Sequence, residues 1–238
     1  LYDLSASVFV DGEEVENICV PVGFRDFTIK NGVFLVNGQP VKCHGVNHHD
    51  TTPDRGCAMS LRDYETDFSL MKSLNIDTIR FSHYPPAPEA LELCDRLGFY
   101  VIDEADLECH GALFMEETLD CFSKDPQYEK EFLDRIQRLY QRDKYHASVM
   151  LWSLGNESGF GENHKAAAAY LKLQNPDLLN HYEGAWNWEG HNGFDVVSMM
   201  YPSPERMKEM MREQPDNMLF LCEYAHAMGA GPGDLTWY

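Results

Sequence analysis

From residue 41 onward the chain alternates short, almost unbroken apolar runs with amphipathic stretches, and few architectures accept that alternation. The runs at 41–46, 78–81, 99–102, 148–154, 178–182, 196–201 and 218–224 read as seven strands. A strand that is apolar throughout must be covered on both faces, and a helix after each strand covers a parallel sheet in that way. Leu61, Tyr64, Phe68, Met71 and Leu74 fall at helical steps behind Ser60, with Asp63 three residues later as a capping box. Phe132, Leu133, Ile136, Leu139 and Tyr140 mark a second apolar stripe, and Ser203 before Pro204 marks another helix start. Seven strand-helix repeats exceed the needs of most open doubly wound sheets, and no GxGxxG follows the first strand. The expectation is therefore an α/β fold, a (β/α)8 TIM barrel, whose chemistry gathers at the C-terminal ends of its strands.

The segment before residue 41 reads differently. Ser7-Val8-Phe9-Val10 runs into Asp11-Gly12, and Ile18 to Val22 follows, which predicts a hairpin. Phe27-Thr28-Ile29-Lys30, Asn31-Gly32, Val33-Phe34-Leu35-Val36 and Asn37-Gly38 predict two further tight turns. The chain has 238 residues, 44% of them hydrophobic, enough to bury a sizeable core. Its net charge of −20 repels phosphate backbones and anionic headgroups, so no nucleic-acid or membrane partner is expected. No apolar run reaches the roughly 20 residues that span a bilayer. The seven cysteines are odd in number, and their spacing suits neither a disulfide framework nor a CxxC metal site. Cys43, Cys94 and Cys222 sit among apolar neighbours as buried thiols would, and a reducing, cytoplasmic setting is the expectation. The N-terminus carries neither an initiator Met nor a signal pattern, so the chain reads as cut from something longer.

At the strand ends stand Asn47-His48-His49-Asp50, Arg80-Phe81-Ser82-His83-Tyr84, Asp103-Glu104, Asn156-Glu157, Tyr182-Glu183, Tyr201 and Glu223-Tyr224-Ala225-His226. A single strand-end glutamate is usually a solvated surface group. Many carboxylates, imidazoles and phenols converging on one rim are a site. Glu157 and Glu223 each close an unusually apolar strand, the fourth and the seventh, and would face each other across the mouth. Paired carboxyls flanking one bond are what glycoside hydrolysis requires, and their separation selects retention or inversion. Glu108 and His110, two apart, point the same way in extended backbone, and with a further carboxylate they make a candidate divalent-ion site.

Five ordered motifs carry a resemblance. They are Gly45-Val46-Asn47-His48-His49; Ser82-His83-Tyr84-Pro85; Asp103-Glu104-Ala105 leading to Glu108-Cys109-His110-Gly111; Trp152-Ser153-Leu154-Gly155-Asn156-Glu157-Ser158-Gly159; and Leu221-Cys222-Glu223-Tyr224-Ala225-His226-Ala227-Met228-Gly229. Together they resemble glycoside hydrolase family 2, most closely its large multidomain β-galactosidases. The resemblance implies retaining hydrolysis of terminal β-D-galactosides through a covalent galactosyl-enzyme. It implies Glu223 as nucleophile, Glu157 as general acid/base, and Glu108, His110 and Glu157 as ligands of Mg2+. Asn156 would contact the sugar 2-hydroxyl, Arg80 would orient and ionise the nucleophile, and His49, His83 and His226 would contact the galactose or its developing charge. Tyr201 matches a tyrosine beside the nucleophile. The acid must keep its proton while the nucleophile stays charged, so the two environments must differ, and esterification of Glu223 then lets Glu157 act as base.

The sequence also departs from that family. His48 stands where arginine is common, and Ala230 stands where asparagine is usual. Too few residues follow Gly229 for an eighth strand and helix. The expected organisation is the C-terminal part of an immunoglobulin-like β-sandwich at 1–25, then a catalytic barrel at 26–238 lacking its last strand-helix unit. A sodium site, the aromatic sugar platform and a homo-oligomeric assembly would belong to the longer protein, and the fragment alone is expected to have little activity. β-Glucuronidase and β-mannosidase are the rivals within the family, and a non-catalytic sugar-binding fragment is the rival outside it.

Overall fold

Three hairpin turns open the chain. β1 (Tyr2–Val10) and β2 (Glu13–Val22) pair antiparallel across Asp11-Gly12. β3 (Phe27–Lys30), β4 (Val33–Val36) and the two-residue β5 (Gln39–Pro40) form a meander across Asn31-Gly32 and Asn37-Gly38. All six turn residues have φ between 50° and 85°, the left-handed pair that suits a two-residue turn to the twist of its strands. All of β1 and nearly all of β2 are exposed. The structure is a computed structural model that describes residues 1–238 except 117, 187–192, 228–230, 232 and 234. Met228, Gly229 and Ala230, singled out in the sequence, therefore lie outside the described residues.

Strands and helices then alternate: β6 (Gly45–His48), α1 (Leu61–Ser73), β7 (Thr78–Phe81), α2 (Pro88–Leu97), β8 (Tyr100–Glu104), α3 (Ala112–Glu116), α4 (Glu129–Asp143), β9 (Val149–Ser153), α5 (Glu162–Gln174), β10 (Asn180–His181), β11 (Val196–Met200), α6 (Pro204–Glu213) and β12 (Met218–Glu223). β6 to β10 form one parallel ladder in chain order, and β11 and β12 form a parallel pair. Asp195 joins the two ladders. Its backbone N–H donates to the Asn180 carbonyl at 3.1 Å, and its carboxylate accepts the Asn180 N–H at 2.8 Å. The predicted capping box opens α1, where the Asp63 carboxylate accepts both the Ser60 N–H (2.7 Å) and its hydroxyl (2.6 Å). Ser203 caps α6 ahead of Pro204, as expected.

Side chains alternate across the strands as a period of two requires. Ile79 and Phe81 of β7, Val101 of β8 and Trp152 of β9 face the helices, packing on Tyr64 and Phe68 of α1, Leu91 and Cys94 of α2, Phe132 and Ile136 of α4, and Leu171 of α5. Arg80 and Glu104 point the other way, where they meet. A second cluster fills the ring near the strand starts: Ile102, Met150, Leu151 and Val196 pack on Phe34, with Phe27, Ile29 and Val36 beneath. The β3–β5 meander is thus a floor, and the C-terminal ends of the strands stay open above it.

Two boundaries differ from the sequence reading. The first barrel strand is Gly45–His48 rather than 41–46, because Val41 extends the floor, its N–H donating to the Phe34 carbonyl at 3.0 Å. The run at 178–182 narrows to Asn180–His181. The α1 stripe is also shorter than its periodicity: Tyr64 and Phe68 are buried, while Leu61 and Leu74 overhang the sheet and are exposed.

Candidate active site

Arg80 is the hub of the rim. It rises from the middle of β7 and is 2% exposed. Its Nε and Nη2 donate to the two oxygens of Glu104 at 2.7 and 3.0 Å, its Nη1 to Glu223 Oε1 at 3.1 Å, and its Nη2 also to Asn156 Oδ1 at 2.9 Å. The planar fork suits this bidentate arrangement, and no lysine could reproduce it. Burial works against the guanidinium charge, but the facing Glu104 and Glu223 outweigh it and raise the Arg80 pKa. Glu104, at the end of β8, is fully buried and also accepts the Ser153 hydroxyl at 2.6 Å. His83 Nδ1 lies 2.7 Å from Glu104 Oε1, an arrangement that puts the ring proton there and turns Nε2 toward Glu223 Oε1, 3.8 Å away.

Glu223 is the last residue of β12 and receives the Tyr201 hydroxyl as well as Arg80. The Tyr201 N–H donates to the Glu223 carbonyl at 2.9 Å, and His226 Nδ1 lies 3.0 Å from the Tyr201 hydroxyl. Burial and the hydrogen bond to Glu223 raise the Tyr201 pKa, so the phenol stays protonated as a donor.

The second carboxylate stands just beyond β9. Asn156 is 1% exposed and bonded at both ends, taking Arg80 on Oδ1 and giving Nδ2–H to Glu108 Oε2 at 2.8 Å. Glu157 follows, with Oε2 2.7 Å from His110 Nδ1. One ligand atom each from Glu108, His110 and Glu157 lie within 4.8 Å of one another, a group able to hold a metal ion. Gly155 makes this possible. At φ +122° it lets the Leu107 carbonyl approach where any side chain would stand, and the Asn156 N–H donates to that carbonyl at 2.8 Å.

All ten residues singled out in the sequence for the site fall into this one network. His49 is exposed at the rim, with its ring 5.3 Å from that of His83 and its Nε2 3.5 Å from the Ser82 hydroxyl. Burial and the neighbouring His83 lower its pKa. Three residues went unassigned in the sequence. Glu104 anchors both Arg80 and His83, Glu183 accepts the Glu157 N–H at 3.0 Å, and Tyr182 touches the next two residues. Burial pushes the Glu183 carboxyl up to about 7. Their signal was present, since all three belong to strand ends, but nothing in the sequence says which strand-end side chains touch each other. Asp103 goes the other way: one residue before the end of β8, it faces α4, where burial and the neighbouring Asp143 carboxylate raise its pKa well above the ordinary carboxylate range.

Residues 27–238 match the family model described as "Glycosyl hydrolases family 2, TIM barrel domain". A β-galactosidase of Kluyveromyces lactis is 40% identical over 253 residues, covering 96% of this chain and 24% of that protein. One from Staphylococcus xylosus is 39% identical over 235 residues, 94% of this chain and 24% of that protein. One from Arthrobacter sp. is 40% identical over 251 residues, 100% of this chain and 24% of that protein. The chain thus spans about a quarter of the length of these relatives. Among solved structures, an FMN-binding β-glucuronidase from Facaelibacterium prausnitzii superposes with a TM-score of 0.81 at 23% identity, over 93% of this chain and 36% of that one. At that identity the likeness concerns the fold. The match over nearly all of the parallel α/β ring settles the family: the chain belongs to the glycosyl hydrolases of family 2 and carries their TIM barrel domain.

Proposed function

We propose that this chain is the catalytic barrel of a retaining β-galactosidase. Glu223 is the nucleophile and Glu157 the general acid/base. One observation carries the reading: the guanidinium of Arg80 donates with one nitrogen to Glu223 and with the other to Asn156, the residue before Glu157, so the nucleophile and the residue that precedes the acid/base share one buried cation. Arg80 and Tyr201 each donate to Glu223, holding its carboxylate aimed. In the first step a Glu223 oxygen bonds the anomeric carbon as the glycosidic bond breaks, and Glu157 gives its proton to the departing oxygen. In the second, Glu157 takes a proton from water, whose oxygen displaces Glu223. Asn156 offers its amide toward the sugar 2-hydroxyl, and His49, His83 and His226 ring the position the galactose would occupy. The relatives at about 40% identity, all β-galactosidases, support galactose over glucuronic acid or mannose.

The donor set of two carboxylates and one imidazole, half open to water, fits a hard divalent ion that keeps several waters, and Mg2+ is the ion proposed for Glu108, His110 and Glu157. Such an ion would supply positive charge beside the acid/base. The domain reading is part of the same proposal. Residues 1–25 are the end of an immunoglobulin-like sandwich, supported by the exposed Leu4, Val8, Val10, Ile18 and Val20 of the β1–β2 hairpin. Residues 26–238 are the barrel less its last strand-helix unit. Among the described residues no ladder joins β12 to β6, and Tyr224, just past β12, donates its hydroxyl to the Gly45 carbonyl at 2.9 Å. Sodium and a homo-oligomeric assembly would belong to the longer protein.

A 2-fluoro-galactosyl inactivator applied to the longer protein tests the assignment. Mass mapping is expected to find the label on Glu223; a label elsewhere, or none with galactosyl reagents but one with glucuronyl reagents, would overturn it.

A further inference from the structure

Glu157 holds a backbone conformation that a residue with a side chain rarely adopts, with φ at +35°. Such a residue persists only where its surroundings dictate it. Here two adjacent side chains do so. Glu183 opens the 3-10 turn that follows β10, and its carboxylate accepts the Glu157 N–H at 3.0 Å. Tyr182, one residue earlier, accepts the Ser158 N–H at 2.9 Å and donates its hydroxyl to the Gly159 carbonyl at 2.6 Å. Three consecutive backbone groups are thereby gripped from β10. Neither grip is a surface contact, since Tyr182 is 0% exposed and Glu183 8%. The Tyr182 ring is fixed in turn by the His164 ring stacked on it at 4.0 Å. From the other side, the Ser158 hydroxyl donates to the Leu107 carbonyl at 2.9 Å and accepts the Cys109 N–H at 3.0 Å, so the loop is tied to the segment after β8 as well.

We infer that Tyr182 and Glu183 are positioning residues that set the direction in which Glu157 delivers its proton. They touch no reacting atom. Their effect rests on the assignment of Glu157 as acid/base above, and in kcat/KM, which reports the first displacement, it acts through the delivery of the proton. A general acid contributes roughly 10²–10⁴-fold, and only where the leaving group is too basic to depart alone. Misdirecting the acid must therefore slow substrates with alkyl or sugar leaving groups and spare those with a dinitrophenyl group.

The test compares kcat/KM for lactose and for 2,4-dinitrophenyl β-galactoside in the longer protein. Glu183→Ala is expected to lose about 30-fold on lactose and less than about 3-fold on the dinitrophenyl substrate. Glu183→Gln keeps an acceptor oxygen for the Glu157 N–H and is expected to restore most of that loss. Tyr182→Phe is expected to show the same selectivity at about 10-fold, and it carries the test should melting show that Glu183→Ala does not fold. A parallel fall on both substrates means mere structural support, and no fall on either means no role; both outcomes overturn the inference. Glu157→Ala is run alongside. If it too lacks leaving-group dependence, the acid/base assignment itself fails, whereas selectivity in Glu157→Ala without it in the clamp variants sinks the clamp alone.

Discussion

Arg80 holds two carboxylates and an amide at once, so its replacement has a cost on two counts. Arg80→Lys keeps the charge but loses the fork that holds both oxygens of Glu104, a group with no exposed surface, so stability is expected to fall by less than the roughly 3–5 kcal/mol of a buried pair broken outright. It also frees Glu223 from its fixed donor, so galactosidase activity is expected to fall by at least about 100-fold, while Arg80→Met, which removes the charge as well, is expected to cost the full buried pair and more stability than Arg80→Lys. Chemical melts and kcat/KM together check this. His164 tests a different buried group. Fully buried among Phe132, Phe160 and Tyr182, it has its pKa pushed down to about 3 by desolvation. The unfolded chain binds a proton on this residue below about 6.5 and the native chain does not, so stability falls as pH drops from there toward 3. The loss is about 1.4 kcal/mol per pH unit. His164→Phe is expected to flatten that slope between pH 7 and 5 in urea melts. Neither effect was readable from the sequence. Arg80 was legible as a site residue, but its debt to Glu104 depends on which strand-end carboxylate lies on the same face of the neighbouring strand.

At the level of elements, most of the starts and turns were legible because each is decided within a few residues. Asp11-Gly12, Asn31-Gly32 and Asn37-Gly38 need left-handed backbone, and the Ser60–Asp63 box needs only one turn of helix. Strand limits were less legible, since a run such as Val41 to Val46 is equally apolar whether it serves the ring or the floor. The loop between β9 and α5 is where an element carries function. Gly155 has φ +122°, and a methyl there would meet the Leu107 carbonyl oxygen at 2.5 Å. Gly155→Ala is expected to push the Asn156-Glu157 loop away from Glu108 and to destabilise the protein by at least about 2 kcal/mol. Its second mark is a several-fold weaker dependence of melting temperature on added Mg2+, read by titrating the ion into wild type and variant.

For the whole molecule the proposed incompleteness has its own consequences. Seven barrel strands are described, all seven cysteines are free, and no helix among the described residues is long and apolar enough to cross a membrane. The hairpin of β1 and β2 presents Tyr2, Leu4, Phe9 and Ile18 to solvent, and an unpaired ribbon of that kind invites association. The 238-residue chain by itself is expected to hydrolyse a chromogenic galactoside at under about 1% of the rate of the longer protein, in line with the loss of several substrate-fixing groups. It is also expected to run larger than a monomer in light scattering. Rapid turnover by a clean monomer would contradict the proposed boundaries.

Local chemistry determined the order of strands and helices, the hairpins, the helix caps and the candidates for the acidic pair, because each rests on neighbours in the chain or on a short motif. Only the tertiary packing of the ring decided that Arg80 joins residues up to 143 positions away, that Asp103 turns outward while Glu104 turns in, and that Tyr182 and Glu183 grip the backbone of Glu157. Strand side chains alternate by a rule the sequence obeys, but which faces meet across the barrel is settled by how the strands pair, and no single strand contains that information.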